Sequence, residues 1–290
     1  MQNLKVHPEG PSLSRIIAGV WRWHTVSPET VEHLTHTAID VGISAFDHAD
    51  IYGDHGNEEI FGRVLKSNSS LRNKIQLITK CGIKFPSSKR PATWIKHYDT
   101  SKDHIIWSAE NSLKMLSTDR LDVLLIHRPD PLLNPEEIAE AFTQLKNQGK
   151  VLNFGVSNFS VAQFRMLQKL LPMPLVTNQI EISLSRIEPI FNGDLDLMME
   201  YQVSPMAWSP LGGGKLVTED RIFFDKAAKY NASYNQLSLA WLLKHPSKIF
   251  PVIGTTKPER IIECSKSIDI SIDKQDWFEM LKWKTGQDVP

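Results

Sequence analysis

Short apolar runs recur along this chain, and the segments between them carry apolar residues spaced by three and four. The runs begin near Arg15, Ser44, Ile75, Val123, Asn153, Val176, Pro205 and Phe250. Runs that are short and apolar throughout fit strands buried on both faces in a parallel sheet. The intervening segments read as amphipathic helices. Val31, Leu34, Ala38 and Val41 form one stripe, with Ser27 as N-cap and Pro28 at the first helical position. Ile106, Ala109, Leu113 and Leu116 form a second, and Phe164, Leu167 and Leu171 follow Ser160 as a third. Ser233 with Gln236 reads as a capping box ahead of Leu237, Ala240 and Trp241. Strand and helix in eightfold alternation predict a (β/α)8 TIM barrel, an α/β fold, rather than an open sheet.

Some features fall outside the alternation. Residues 4–17 read as a β-hairpin turning at Pro8-Glu9-Gly10, placed to cap the bottom of the barrel. Residues 276–284 read as an extra C-terminal helix, with Trp277 and Leu281 packing on the outside. Two long connections, 84–102 and 211–232, have the length of functional loops. No linker or low-complexity tract interrupts the pattern, so residues 1–290 are expected to form a single barrel domain.

Composition narrows the class. Hydrophobic residues make up 41% of the chain and charged residues 23%, which supplies a full core. Lys plus Arg equals Asp plus Glu, 33 each, and no basic stripe appears, which argues against nucleic-acid binding. Cys81 and Cys264 are far apart and read as reduced thiols. The first fifteen residues hold no apolar signal core, and no run approaches the ~18 residues of a membrane span. A soluble cytoplasmic protein is expected, monomeric or weakly self-associating.

Four polar residues stand out against this background. Asp47, Lys80 and His127 each follow an apolar run, and Tyr52 lies five residues beyond Asp47. An isolated charge at such a position must be partnered or lie at a rim. Barrel active sites are built at the C-terminal strand ends, so these residues are expected to converge on one mouth. Asp47 would orient Lys80, whose ammonium would favour the Tyr52 phenolate and lower the pKa of the phenol. A tyrosine tuned in this way is a competent general acid for a carbonyl oxygen gaining negative charge, and a neutral His127 would orient that carbonyl. The set suits carbonyl reduction with hydride supplied by a cofactor and a small carbonyl compound as substrate.

Seven segments in order then resemble the aldo-keto reductase superfamily across essentially the whole chain. They are Phe46-Asp47-His48-Ala49-Asp50-Ile51-Tyr52-Gly53, Thr79-Lys80-Cys81-Gly82, Leu125-Ile126-His127-Arg128-Pro129, Gly155-Val156-Ser157-Asn158-Phe159, Asn178-Gln179-Ile180-Glu181, Trp208-Ser209-Pro210-Leu211-Gly212 and Gly254-Thr255-Thr256-Lys257-Pro258-Glu259-Arg260. Within that superfamily the chain looks closest to the bacterial YdhF-type oxidoreductases. The resemblance implies an NADP(H) site without a Rossmann fingerprint; Gly212-Gly213-Gly214-Lys215 has neither that spacing nor a P-loop's. It further implies that Ser157, Asn158 and Gln179 hold the nicotinamide carboxamide and that Trp208 stacks on the ring. Ser209, Pro210, Leu211, Gly212 and Lys215 would follow the pyrophosphate. Gly254, Thr255, Thr256, Lys257 and Arg260 would bind the adenosine 2′-phosphate, which favours NADPH over NADH. Cys264 stands where many members carry asparagine near the adenine.

Other residues have competing readings. Trp21 and Trp23 are either walls of a substrate pocket or rim packing, and Trp94 belongs either to a substrate lid or to a packed loop. Glu58 and Arg63 read as a solvated helix face, and Cys81 as a packing residue pointing away from the mouth. His48 and Asp50 invite a metal reading with Asp47 and His127, but ligand-spaced histidines are missing elsewhere, so no metal is expected. The rival from another class is a regulatory subunit that binds the coenzyme and senses its redox state, as the superfamily's potassium-channel β-subunits do.

Overall fold

The computed structural model describes residues 2–214 and 221–289. Strands β1 (Asn3–Lys5) and β2 (Ser12–Ser14) pair antiparallel as the expected N-terminal hairpin. The barrel strands β3 (Ile17–Gly19), β4 (Ala45–Asp47) and β5 (Gln76–Cys81) follow. A small antiparallel pair, β6 (Ile83–Lys84) and β7 (His97–Tyr98), stands in the first long connection. Strands β8 (Val123–Ile126), β9 (Phe154–Ser157), β10 (Leu175–Glu181), β11 (Met206–Trp208) and β12 (Phe250–Ile253) complete the circle. Every neighbouring pair in the barrel is parallel, and β12 closes on β3 through Val252–Ile17 and Ile253–Ala18.

Helices fill the connections. They are α1 (Pro28–Asp40), α2 (Tyr52–His55), α3 (Asn57–Ser67), α4 (Lys102–Met115), α5 (Pro135–Asn147) and α6 (Val161–Leu170) in the first part of the chain. After β10 come α7 (Asp194–Glu200), α8 (Arg221–Tyr230), α9 (Tyr234–Leu243), α10 (Pro258–Ser265) and α11 (Lys274–Thr285). The starts are chemically encoded. Ser27 accepts a bond from the Thr30 amide, and Ser160 with Gln163 and Ser233 with Gln236 form complete capping boxes. The second long connection is not one irregular loop, because α8 occupies most of its latter half. The stripe expected on α4 is also rotated. Ile105, Ser108, Ala109 and Ser112 face inward, while Ile106 and Leu113 are only partly buried. Two serines on the buried face hide the true phase from a hydrophobicity pattern.

Two apolar cores result, one on each side of the strands. The inner one gathers Ile17, Ala45, Ile78, Val123, Leu125, Val176, Met206, Phe250 and Val252, and is closed from below by Val6 and Leu13 of the hairpin. Arg15 fixes that end by donating to the carbonyls of Leu243, Lys248 and Ile249. The outer core lies between strands and helices. Side chains alternate along a strand, so the residues in phase with Ala45, Ile78 and Leu125 continue inward at the top: Asp47, Lys80 and His127. His48, Thr79 and Cys81 take the opposite phase and face the helices. On the outside, α11 docks through Trp277, whose indole stacks on Trp241 at 4.8 Å with each ring N–H bonded to the other's carbonyl.

Candidate active site

Lys80 is the centre of the mouth. Its ammonium is 1% exposed and donates to Asp47 Oδ2 at 2.6 Å, to the His48 carbonyl at 2.8 Å and to Tyr52 Oη at 3.1 Å. All three donor positions are thus used, which is what a buried ammonium requires. Burial alone would push the lysine down, but Asp47 and Tyr52 outweigh it, and its pKa lies above the ordinary value. Tyr52 departs from the sequence expectation. Burial raises its pKa more than Lys80 lowers it, so the phenol stays protonated through the neutral range. His127 packs edge-on to Tyr52 with ring centroids 6.0 Å apart. Burial, then the charges of Lys80, Arg128 and Lys96, hold it well below the usual histidine value, so the ring is neutral. Its Nδ1 is buried without a partner.

Local backbone geometry explains how Tyr52 reaches Lys80. Gly53, Asp54 and His55 take left-handed angles in succession, with φ of 59°, 51° and 59°. Only glycine fits the first of these, because a Cβ there would lie 2.7 Å from both Asn57 Oδ1 and His24 Cβ. Asn57 ties the turn to the barrel by donating to the carbonyls of Val20 and Trp21.

The residues assigned by resemblance to the nicotinamide form a continuous string. Trp208 Nε1 donates to Asn158 Oδ1 at 2.9 Å, and Asn158 Nδ2 donates to Ser157 Oγ at 2.8 Å. Ser157 donates in turn to the Gln179 carbonyl, and Gln179 Nε2 donates to Asp47 Oδ1 at 2.8 Å. Gln179 can turn inward with Val176 because the pairing of β10 with β9 slips between Leu175 and Asn178, an irregularity of the β-bulge kind. Asn158 and Ser209 hold positive φ, 60° and 50°, at the ends of β9 and β11. Such backbone strain collects at functional sites. Ser209, Pro210, Leu211 and Gly212 run on from β11 along the rim, while Lys215 lies outside the described residues. Gly254, Thr255 and Thr256 lead into α10, where Lys257 occupies the N-cap without a side-chain bond and Arg260 is exposed beside it.

Several sequence readings change. Trp23 is 2% exposed and packs on Phe46 and Phe61 in the outer core, its Nε1 donating to the Thr255 carbonyl, so it does not wall the mouth. Trp21 and Trp94 are exposed. Glu58 is not on a solvated face. It is buried behind β5, accepts a 2.6 Å bond from Thr79, and burial lifts its carboxyl to about 7. Arg63 is exposed and pairs with Glu59. His48 and Asp50 also lie outside the strands. His48 sits edge-on to Phe61, burial takes its pKa down to about 3, and the Asp50 carboxyl rises to about 8 for the same reason. They cannot share a ligand set with Asp47 and His127. Cys81 packs outward, its thiol near the Leu125 carbonyl. Arg128 had drawn no role from the sequence; its guanidinium lies 5.3 Å from the Trp208 ring. A cation directly after His127 at a strand end was the signal available.

A family model described as the aldo/keto reductase family matches residues 15–283. The uncharacterized oxidoreductase YcsN of Bacillus subtilis is 44% identical over the whole of both chains. Oxidoreductase YdhF of Escherichia coli is 42% identical, also over the whole of both. The 6-dehydroglucose reductase of Agrobacterium fabrum is 43% identical over 96% of each chain. Among solved structures, the thermostable aldo-keto reductase Tm1743, in complex with the inhibitor epalrestat, superposes with a TM-score of 0.83 at 25% identity, covering 97% of this chain and 99% of that one. With a closed eight-stranded parallel barrel and full-length relatives of this kind, the chain belongs to the aldo/keto reductase family.

Proposed function

We propose that this oxidoreductase reduces an aldehyde or ketone to an alcohol with NADPH, using Tyr52 as the general acid. The observation that carries the reading is the Asp47–Lys80–Tyr52 chain of hydrogen bonds, closed inside the barrel mouth beside a neutral His127. A bound reduced nicotinamide supplies the hydride. Tyr52 enters the reaction protonated and gives its proton to the carbonyl oxygen as that oxygen gains charge. The phenolate left behind is stabilised by the Lys80 ammonium at 3.1 Å, so the interaction is strongest after transfer. His127, neutral and uncharged by its neighbours, donates a hydrogen bond to the same oxygen and fixes its direction.

The chain's residues fit such a coenzyme. Trp208 offers a half-buried indole face, and the left-handed backbones of Asn158 and Ser209 frame it. The start of α10 has no side-chain cap, and its positive dipole end lies next to Lys257 and Arg260, which suits a phosphate. Replacing Lys257 and Arg260 with alanine is expected to raise KM for NADPH about tenfold or more while changing that for NADH little. Equal losses for both coenzymes would refute the 2′-phosphate assignment.

Because relatives carry the name 6-dehydroglucose reductase, an oxidised sugar is the first carbonyl to test. Tyr52→Phe is expected to lower turnover on any accepted carbonyl by about 10²-fold or more with NADPH binding retained, read by absorbance and by tryptophan fluorescence. Unchanged turnover would sink the mechanism. Coenzyme binding without turnover on any carbonyl of a broad panel would favour the redox-sensing reading instead.

A further inference from the structure

A second cavity of about 350 Å³ lies beside the mouth, outside the barrel, between α2, α4 and the connection that holds β6. None of Tyr52, Lys80, His127 or Trp208 lines it. Its two flat walls are ring pairs: His55 stacks on Phe85 at 5.1 Å and 7°, and His104 stacks on Trp107 at 5.6 Å and 22°. Three polar atoms that belong to its lining residues, Asp50 Oδ1, His55 Nε2 and His104 Nε2, are buried and have no hydrogen-bond partner. They come from two stretches of chain, residues 50–55 and the start of α4. Asp50 itself is only 9% exposed.

The charge at the cavity's outer edge has one sign. Lys84 is paired with Asp99, but Lys89 and Arg90 form no ion pair among the described residues. Arg90 is held over the Trp107 ring at 4.7 Å, so its guanidinium is presented rather than free to swing away. The carboxyl at the inner end does not oppose this charge, because burial keeps Asp50 protonated up to about pH 8. Flat walls and an outer cationic edge describe one kind of ligand.

We propose that this cavity binds an aromatic carboxylate, with the ring system between the stacked pairs and the carboxylate at Lys89 and Arg90. The volume, at the small end of ligand sites, suits a body of two fused rings. The site is wired to the catalytic one. The Asp50 amide donates to the Lys80 carbonyl at 3.0 Å, its carbonyl bonds His55 Nδ1 at 2.8 Å, and Tyr52 stands two residues on. A ligand seated here presses on the segment that carries the acid without entering the mouth.

The test uses 1-naphthoate as probe on the coenzyme-free protein, followed by calorimetry, with neutral 1-naphthamide as control. Saturable one-to-one binding is expected, about tenfold or more tighter than the amide. It should weaken by about the same factor in the Lys89→Ala, Arg90→Ala double variant, whose melting temperature serves as the folding check. Adding NADPH and a carbonyl substrate should not displace the probe; any change in its affinity runs through the shared segment, where coupling is reciprocal. Absence of saturable binding, equal affinity in the double variant, or displacement by the carbonyl substrate would each overturn the proposal. The assay reads binding alone, so it stands or falls separately from the proposed reaction.

Discussion

Lys80 and Glu58 are neighbours across one strand, and they show how a single change of side decides what a charged residue does. Lys80 points into the barrel and is satisfied by three acceptors; Glu58 faces the outward Thr79 and is satisfied by one hydroxyl. The Glu58 carboxyl therefore titrates at about 7 in the folded chain against 4.5 in the ordinary case. Between those values the folded state keeps a proton that the unfolded chain has lost, so this group's contribution is full below pH 4.5 and is lost as pH rises through about 7. Glu58→Gln keeps an acceptor for Thr79 and removes the titration. The variant is expected to gain about 1–3 kcal/mol over the wild type between pH 5 and pH 8, read from urea midpoints at the two pH values. A constant difference between the two proteins across that range would exclude the assignment. At this scale the sequence was partly legible. Asp47, Lys80 and His127 could be placed because inward phase follows from the apolar run before each. Glu58 could not, because an acid in the first turn of a helix has the same appearance whether solvated or buried, and its partner Thr79 is defined only by the strand's outward phase.

The elements reveal a different limit. Helices α3 and α4 meet so closely that a Cβ on Gly62 would lie 2.0 Å from the Met115 carbonyl oxygen, and the obstacle is backbone that cannot rotate aside. Gly62→Ala is expected to destabilise the fold by about 1–3 kcal/mol through overpacking, despite alanine's better helix propensity, measured by denaturant titration. An alanine variant at least as stable as the wild type would show that the helices can part. Helix starts were readable, since Ser27, Ser160 and Ser233 announce them by side-chain chemistry. The rotation of α4 and the slip within β10 were not. The first is masked by buried serines, and the second arises from pairing with β9, a partner that local pattern cannot specify.

For the molecule as a whole, the eightfold alternation made the barrel predictable, and the hairpin's role follows from its apolar face. Val6 and Leu13 are fully buried against the barrel's inner core, so the hairpin is a stopper for an otherwise open floor. Leu13→Ala is expected to cost about 2–5 kcal/mol, as a cavity at a site that cannot collapse. Thermal melting would check this, and a loss under about 1 kcal/mol would mean that the floor is sealed without it. The site is legible at this scale only as convergence: strand ends separated by scores of residues meet because every strand runs the same way.

The join between β12 and β3 has a further consequence, and it concerns time. Ile17 and Ala18 wait for Val252 and Ile253, so the circle cannot close until the chain has been made through residue 253. During synthesis the growing sheet keeps two unpaired edges, and loop-closure entropy makes this last pairing slow relative to the local helices. The proposed adenosine-phosphate segment, Gly254–Arg260, follows immediately after the closing strand, whereas Asp47 and Lys80 are translated early. Coenzyme is therefore expected to recognise only the completed ring, which makes binding competence a late checkpoint of assembly.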